Sequence, residues 1–311
     1  MLFDFRLLAG ALMGWSLGAN DTASVFGLAI TSHVVRTRTA LALTAFFVVV
    51  GAVLQGHGGI TTYGALGPQS VQTAFIVSIT PALALLVTAT IGLPVSTTQA
   101  VVGAITGLSL LNGTANWPVL FKLAISWAVA PLGTMLFAFL LYKTLGRIFE
   151  RWLMRLSSYE IFLKIGFVFV GAYGAYSLGA NNVANVAGVW VQSGLLTAVT
   201  GTWFGSLSIA LGVLTYSRRV IETVGQKLTD LDPFSAFIAM LSSALMLHAY
   251  AIIGTPVSAS QVIVGAVLGI GLVKGTQTVQ HNTVIKIFVA WFAIPALTAL
   301  LAVLLYLALP R

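Results

Sequence analysis

Ser16-Leu17-Gly18-Ala19-Asn20-Asp21 recurs 161 residues later as Ser177-Leu178-Gly179-Ala180-Asn181-Asn182. A second stretch, Pro94-Val95-Ser96-Thr97-Thr98-Gln99, recurs 162 residues later as Pro256-Val257-Ser258-Ala259-Ser260-Gln261. Working outward, Val102-Gly103-Ala104 is matched by Val264-Gly265-Ala266. Lys122, Trp127 and Pro131 are matched by Lys286, Trp291 and Pro295, now 164 residues on. A spacing that drifts by only three residues over half the chain marks an internal repeat. The halves run over 1–156 and 157–311.

The composition says where this repeat lives. Of 311 residues, 58% are hydrophobic and 7% charged, against about 25% charged in soluble domains. So few charges cannot coat a water-facing surface, and most of the surface must face lipid. Apolar runs long enough to cross about 30 Å of hydrocarbon lie near 39–56, 71–91, 117–142, 159–178, 196–216, 233–253 and 283–309. Shorter Gly-rich runs lie near 2–35, 94–112, 179–193 and 256–272. The apolar start of the chain is not read as a cleaved leader, because the same segment recurs inside it. There is no cysteine, which excludes disulfides, thiol nucleophiles and iron–sulfur sites. The net charge of +8 sits in loops and reads as membrane orientation, not as a nucleic-acid surface.

Charge also orients the two copies. Loop 36–38 carries Arg36 and Arg38, while its equivalent at 193–199 is uncharged. Loop 56–70 has no Lys or Arg, while its equivalent at 217–232 carries Arg218, Arg219 and Lys227. Lys and Arg mark the cytoplasmic side, so equivalent loops lie on opposite faces. The expected fold is an all-α membrane protein of two inverted-topology repeats, each of about five transmembrane segments. Each repeat is a broken first segment followed by 39–56, 71–91, 94–112 and 117–142 or their equivalents, with broken or re-entrant helices meeting at the midplane. The linker 143–158, with Lys143, Arg147, Arg151 and Arg155, is cytoplasmic, and both termini lie outside. On this topology, twelve of the fifteen basic residues fall inside; Arg6, Lys122 and Arg311 do not.

Carriers built from inverted repeats place their site where the copies meet, on interrupted helices whose N-terminal N–H groups face an anion. The repeated motifs have the composition for it. Proline suits the first turn of a helix, and Ser96, Thr97, Thr98 and Gln99 follow it. Ser258, Ser260 and Gln261 answer from the second copy. One such motif reads equally as a Pro-broken helix with hydroxyls bonded to nearby carbonyls. Two at matched positions read as a cradle that could hold a tetrahedral oxyanion from both sides.

Asp21 lies deep in an apolar stretch with no basic residue near it in sequence. An unpaired carboxylate at the bilayer centre costs about 2.5–3.5 kcal/mol or more. A bound cation is the natural partner, so Asp21 is the expected metal ligand, and the oxygens of Asn20, Thr22 and Ser24 suit a hard ion such as Na+; the alternative is a protonated Asp21 that ties helices together. The equivalent segment offers Asn181, Asn182 and Asn185, oxygen-rich but uncharged. Bringing a negative charge into an inside-negative cell costs about 2.3 kcal/mol per 100 mV, so import of a dianion calls for at least two co-transported cations. Lys122 and Lys286 read as interfacial snorkelling lysines, and Trp127 and Trp291 as packing residues. His33, His57, His248 and His281 share neither repeat position nor metal-ligand spacing.

These motifs resemble the inorganic phosphate transporter (PiT) family, whose signature runs roughly G-A-N-D-V-A-N-A once per half, followed by P-V-S-[ST]-[ST]-[QH]. The resemblance spans nearly the whole chain. It implies uptake coupled to Na+ or, in some bacteria, to protons, by inverted repeats and commonly in homodimers. It implies that Asn20, Asp21, Ser24, Asn181, Asn182 and Asn185 serve the cations and help orient the anion. Ser96, Thr97, Thr98, Gln99, Ser258, Ser260 and Gln261 would bind the anion. Two positions depart from the pattern: Ser24 stands where the family usually has Asn, and Asn182 where it has Asp. The second departure removes a carboxylate, which alters the cation stoichiometry and is less hostile to sulfate than a two-carboxylate site. The family includes sulfate-carrying relatives.

The expected function is therefore Na+-coupled phosphate import by alternating access, with sulfate or another tetrahedral oxyanion as the alternative substrate. The expected setting is a prokaryotic inner membrane. A channel, an amino-acid carrier and an intramembrane enzyme fit less well. A paired-aspartate protease needs a second membrane aspartate. No catalytic residue and no cofactor beyond the co-transported Na+ is expected.

Overall fold

Within hydrocarbon every backbone N–H and C=O needs a partner inside the protein, and the chain meets this with helices. The computed structural model describes residues 4–91, 95–152, 156–227, 231–274 and 281–309, and among them there are twelve α-helices and no strand. The first six are α1 (Leu7–Thr31), α2 (Thr37–Gln55), α3 (His57–Gly64), α4 (Val71–Ile91), α5 (Thr97–Leu111) and α6 (Trp117–Trp152). The second six are α7 (Leu156–Asn182), α8 (Ala184–Gln192), α9 (Ala198–Lys227), α10 (Pro233–Ile252), α11 (Ala259–Lys274) and α12 (His281–Ala308). Seven stretches are long and apolar enough to cross a membrane, which makes this a multi-pass membrane protein. Pro94, Arg155 and Arg311 lie outside the described residues.

The element ends follow local chemistry. Ser96, with extended backbone, accepts the Gln99 amide on its side chain at 3.2 Å and so caps α5. Ser258 does the same for the Gln261 amide at 3.3 Å. Asp232 caps α10 by accepting from Phe234 and Ser235, with Pro233 in the first turn. Just past α1 and just past α8, His33 and Gly194 take left-handed backbone (φ 57° and 76°), at positions 161 residues apart.

The central helix is α1. It has 25 residues, enough at 1.5 Å per residue to span about 37 Å, and nearly all of its side chains are buried. Other helices shield it from lipid, so it tolerates Asn, Asp, Thr and Gly where an outer span would not. It packs on α9, while α7 packs on α2. Gly18 lies against the Ile209 carbonyl and Gly179 against the Val48 carbonyl, neither leaving room for a Cβ. In the same way, α5 packs on α12 and α6 on α11, with Gly103 against Pro295 and Gly265 against Pro131. Gly107 against Ala299 and Gly269 against Met135 continue each contact one turn on, so the partners in each pair run in the same direction.

One expectation needs correcting. The first segment was expected to be broken, but α1 runs unbroken from Leu7 to Thr31. Gly14 and Gly18 serve close approach to α9, and Thr22 donates to the Gly18 carbonyl at 2.5 Å within the helix. The interruption occurs only in the equivalent segment, where Val183 separates α7 from α8 with near-helical backbone. The other interruptions fall where expected: α4 ends before α5, and α10 before α11, at the two Pro-Val-Ser motifs.

Candidate functional site

The four repeated motifs come together. Every residue assigned to the site from sequence is buried, none more than 7% exposed. Three elements converge on Asp21 of α1. Its Oδ1 accepts from Asn20 Nδ2 at 2.7 Å and from Thr97 Oγ1, in the first turn of α5, at 3.1 Å. Its Oδ2 accepts from Asn182 Nδ2, at the end of α7, at 2.9 Å. Charge-assisted hydrogen bonds of this kind are the strong ones, and three of them hold a carboxylate where hydrocarbon would exclude it. Among the described residues no cluster of three or more His, Cys, Asp or Glu could hold a resident metal ion.

The two Pro-Val-Ser segments cross each other. Thr98 Oγ1 donates to the Val257 carbonyl at 3.2 Å, and Ser260 Oγ donates to the Val95 carbonyl at 3.2 Å. Each hydroxyl thus ties the start of its own helix to the loop that starts the other. The asparagines reinforce this: Asn20 Nδ2 donates to the Val95 carbonyl at 3.1 Å, and the Val257 amide donates to Asn181 Oδ1 at 3.1 Å. Two Ser-capped N-termini, of α5 and α11, therefore face one region beside one carboxylate. Their unbonded N–H groups and dipole ends favour an anion there.

Several polar atoms at this meeting point are buried without a partner: Asn20 Oδ1, Asn181 Nδ2, Asn182 Oδ1, Gln99 Oε1 and Gln261 Oε1. Such atoms are rare in folded proteins and ask for an explanation. Asn20 Oδ1 and Asn182 Oδ1, on the two amides whose nitrogens bond Asp21, are oxygens a hard cation could use. Asn181 Nδ2 is a donor an anion could use. Ser24 is buried on α1, but no hydrogen bond ties it to this cluster among the described residues.

Residues 17–302 match the phosphate transporter family. The chain belongs to that family. Among its relatives, a candidate phosphate permease of Methanocaldococcus jannaschii is 30% identical over 96% of this chain and 94% of its own length. The sulfate permease CysP of Bacillus subtilis is 30% identical over 96% of this chain and 86% of its own. A solved structure described as the sodium-dependent phosphate transporter superposes with a TM-score of 0.84 at 23% identity, covering 98% of both chains. It shares the fold.

Against this family background two features went unread in the sequence. Tyr63, on α3, is 1% exposed and donates its hydroxyl to Asn185 Oδ1. Its only sequence signal was a lone aromatic in a Gly-rich segment assigned to a loop. Second, a cavity of about 450 Å3 is lined by Gln99, Gln261, Trp127 and Trp291, with Pro131 and Pro295 among the other walls. The repeat had placed these residues in matched pairs but not around one space.

Proposed function

We propose that this member of the phosphate transporter family imports inorganic phosphate by Na+-coupled alternating access. The observation that carries the reading is the crossing of the two Ser-capped helix starts, Thr98 to Val257 and Ser260 to Val95, beside the single buried carboxylate of Asp21. On this reading the free amides of the α5 and α11 starts hold the tetrahedral anion, and the hydroxyls of Thr98 and Ser260 hold the two starts together around it. Asp21, with the oxygens of Asn20 and Asn182, holds Na+, and the cation offsets both the carboxylate and the inward movement of negative charge. The protein sits in a prokaryotic cell membrane.

The reading includes an inverted architecture of units 1–156 and 157–311. Reciprocal packing supports it: adding or subtracting 161 turns the Gly18–Ile209 contact into Gly179–Val48. Direction supports it too. α9 runs parallel to α1, and α2 follows α1 after a short loop that reverses the chain. Equivalent helices α2 and α9 then point in opposite directions. Together with the charge bias of the loops, this supports a topology with both termini outside.

Sulfate is the second reading, and Asn182 favours it. Phosphate at neutral pH carries a proton that can be donated to a carboxylate, whereas sulfate carries none. The amide at position 182 removes one such acceptor, and one relative is named as a sulfate permease. Uptake of radiolabelled phosphate and sulfate into proteoliposomes, under a Na+ gradient, a proton gradient or neither, tests both. Phosphate accumulation that requires Na+ supports the first reading. Accumulation of sulfate in preference to phosphate moves the assignment to the second, and flux of either anion without a cation gradient sinks the symport.

A further inference from the structure

We infer that Tyr63 is a positioning residue of the anion site: it fixes the Asn185 amide so that its N–H group, not its oxygen, serves the α5 end of the cradle. The inference rests on the transport reading above. It gives Asn185 a fixed amide orientation on the anion side, where the resemblance had it serve the cations and help orient the anion without saying how.

The argument follows protons along a chain of hydrogen bonds. The Val257 carbonyl can only accept. Thr98 Oγ1 lies 3.2 Å from it, so the single Thr98 hydroxyl proton goes there. Thr98 Oγ1 must then accept from its other neighbour, Asn185 Nδ2, at 3.3 Å. With its nitrogen turned to Thr98, Asn185 presents Oδ1 to Tyr63, whose hydroxyl donates to it. Tyr63, Asn185 and Thr98 are all buried to within 1% exposure, away from bulk solvent. The order Tyr63 to Asn185 to Thr98 to Val257 is thereby fixed at one end by a carbonyl. At the other it is fixed by a phenol that has no other partner among the described residues.

Tyr63 is held in place by packing. α3 lies alongside α8, with Gly59 against the Ala184 side chain and the Tyr63 side chain against Gly188. The second cradle end is built differently. The position equivalent to Asn185 is Ser24, and Ser260, the counterpart of Thr98, is bonded at 2.9 Å to Ser258 from its own motif. Since Ser260 donates to the Val95 carbonyl, Ser258 is the donor of that pair. Only the α5 end of the cradle is therefore wired to α3, the short helix of segment 56–70.

The test is kinetic, on the full-length chain in proteoliposomes. Tyr63→Phe keeps the ring and removes the donor, freeing the Asn185 amide to turn. It is expected to raise KM for phosphate by roughly three- to tenfold, the worth of one hydrogen bond. The Na+ half-saturation and the maximal rate should stay within about twofold. Asn185→Ala should do the same, and the double variant should be no worse than Asn185→Ala alone. Thr98→Val breaks the chain from its other end and stands in if Tyr63→Phe proves unstable in detergent; adding Asn185→Ala to it should change nothing further. An unchanged phosphate KM, a shift confined to Na+ half-saturation, or multiplicative effects in the double variant overturns the inference alone. A wild type that moves neither phosphate nor sulfate overturns the transport reading and this inference with it.

Discussion

Asn182 Nδ2 donates to Asp21 Oδ2 at 2.9 Å, joining two residues that occupy the same repeat position 161 residues apart. Were both aspartates, two carboxylates would share a buried site and could ionise together only with a cation between them. Here an amide does part of that work. The site is left with one formal negative charge and two unpartnered amide oxygens, Asn20 Oδ1 and Asn182 Oδ1.

Replacing that charge tests the cation role. Asp21→Asn keeps shape and hydrogen-bonding capacity but removes the only carboxylate of the site. Na+-driven uptake should fall by about 10- to 100-fold, the range for losing interactions to a charged group. Thermal stability of the purified protein should not drop, since a buried charge is removed. Uptake near wild type at saturating Na+ would take Asp21 out of the coupling.

Asn182→Asp runs the experiment in reverse. It places a second carboxylate against Asp21, which calls for an additional cation or a proton. The expected result is a steeper dependence of phosphate uptake on Na+ concentration and a lower rate of sulfate uptake relative to phosphate. Measuring both anions across a Na+ titration checks this; an unchanged Na+ dependence would mean that position 182 is not coupled to the cation.

The glycine contacts give a stability prediction that does not depend on transport. Gly18→Ala and Gly179→Ala each push a methyl group into a helix backbone carbonyl, of Ile209 and of Val48. Overpacking of this sort costs about 1–3 kcal/mol. Gly27→Ala, on the same helix as Gly18, meets only the Ala23 side chain at 3.8 Å. It should leave stability unchanged or raise it, by up to about 1 kcal/mol. Thermal midpoints in one detergent should place Gly27→Ala above both Gly18→Ala and Gly179→Ala.

The absence of cysteine makes the topology directly measurable. A single cysteine at Arg38 should react with a membrane-impermeant thiol reagent only from the cytoplasmic face, and one at Leu195, in the equivalent loop, only from outside. Labelling of both from the same face would rule out the inversion.

The sequence showed which polar segments the fold brings together better than it showed the scaffold around them. The Asn20-Asp21 and Ser96–Gln99 motifs and their copies were legible because a repeat exposes what polarity in a membrane segment is for. What failed was local reading. The Gly-rich first segment was expected to be broken, yet Gly14 and Gly18 are where α9 approaches. Segment 56–70, lying between two long apolar runs, read as a loop, while Gly56 and Gly59 let α3 lie against Val183 and Ala184 and carry Tyr63 inward. Those contacts lie more than a hundred residues apart in sequence and leave no local periodicity to read. The orientation of the Asn185 amide was equally hidden, because it follows from a carbonyl on another loop.

The most direct measurement is calorimetric titration of phosphate into the purified protein, in Na+ and in choline. One anion site per chain is expected, filled in Na+ only. Ser96→Ala and Ser258→Ala, which remove equivalent caps from the two helix starts, should each weaken binding by about tenfold. Phosphate binding unaffected by one of the two substitutions would mean that the anion is not held between α5 and α11.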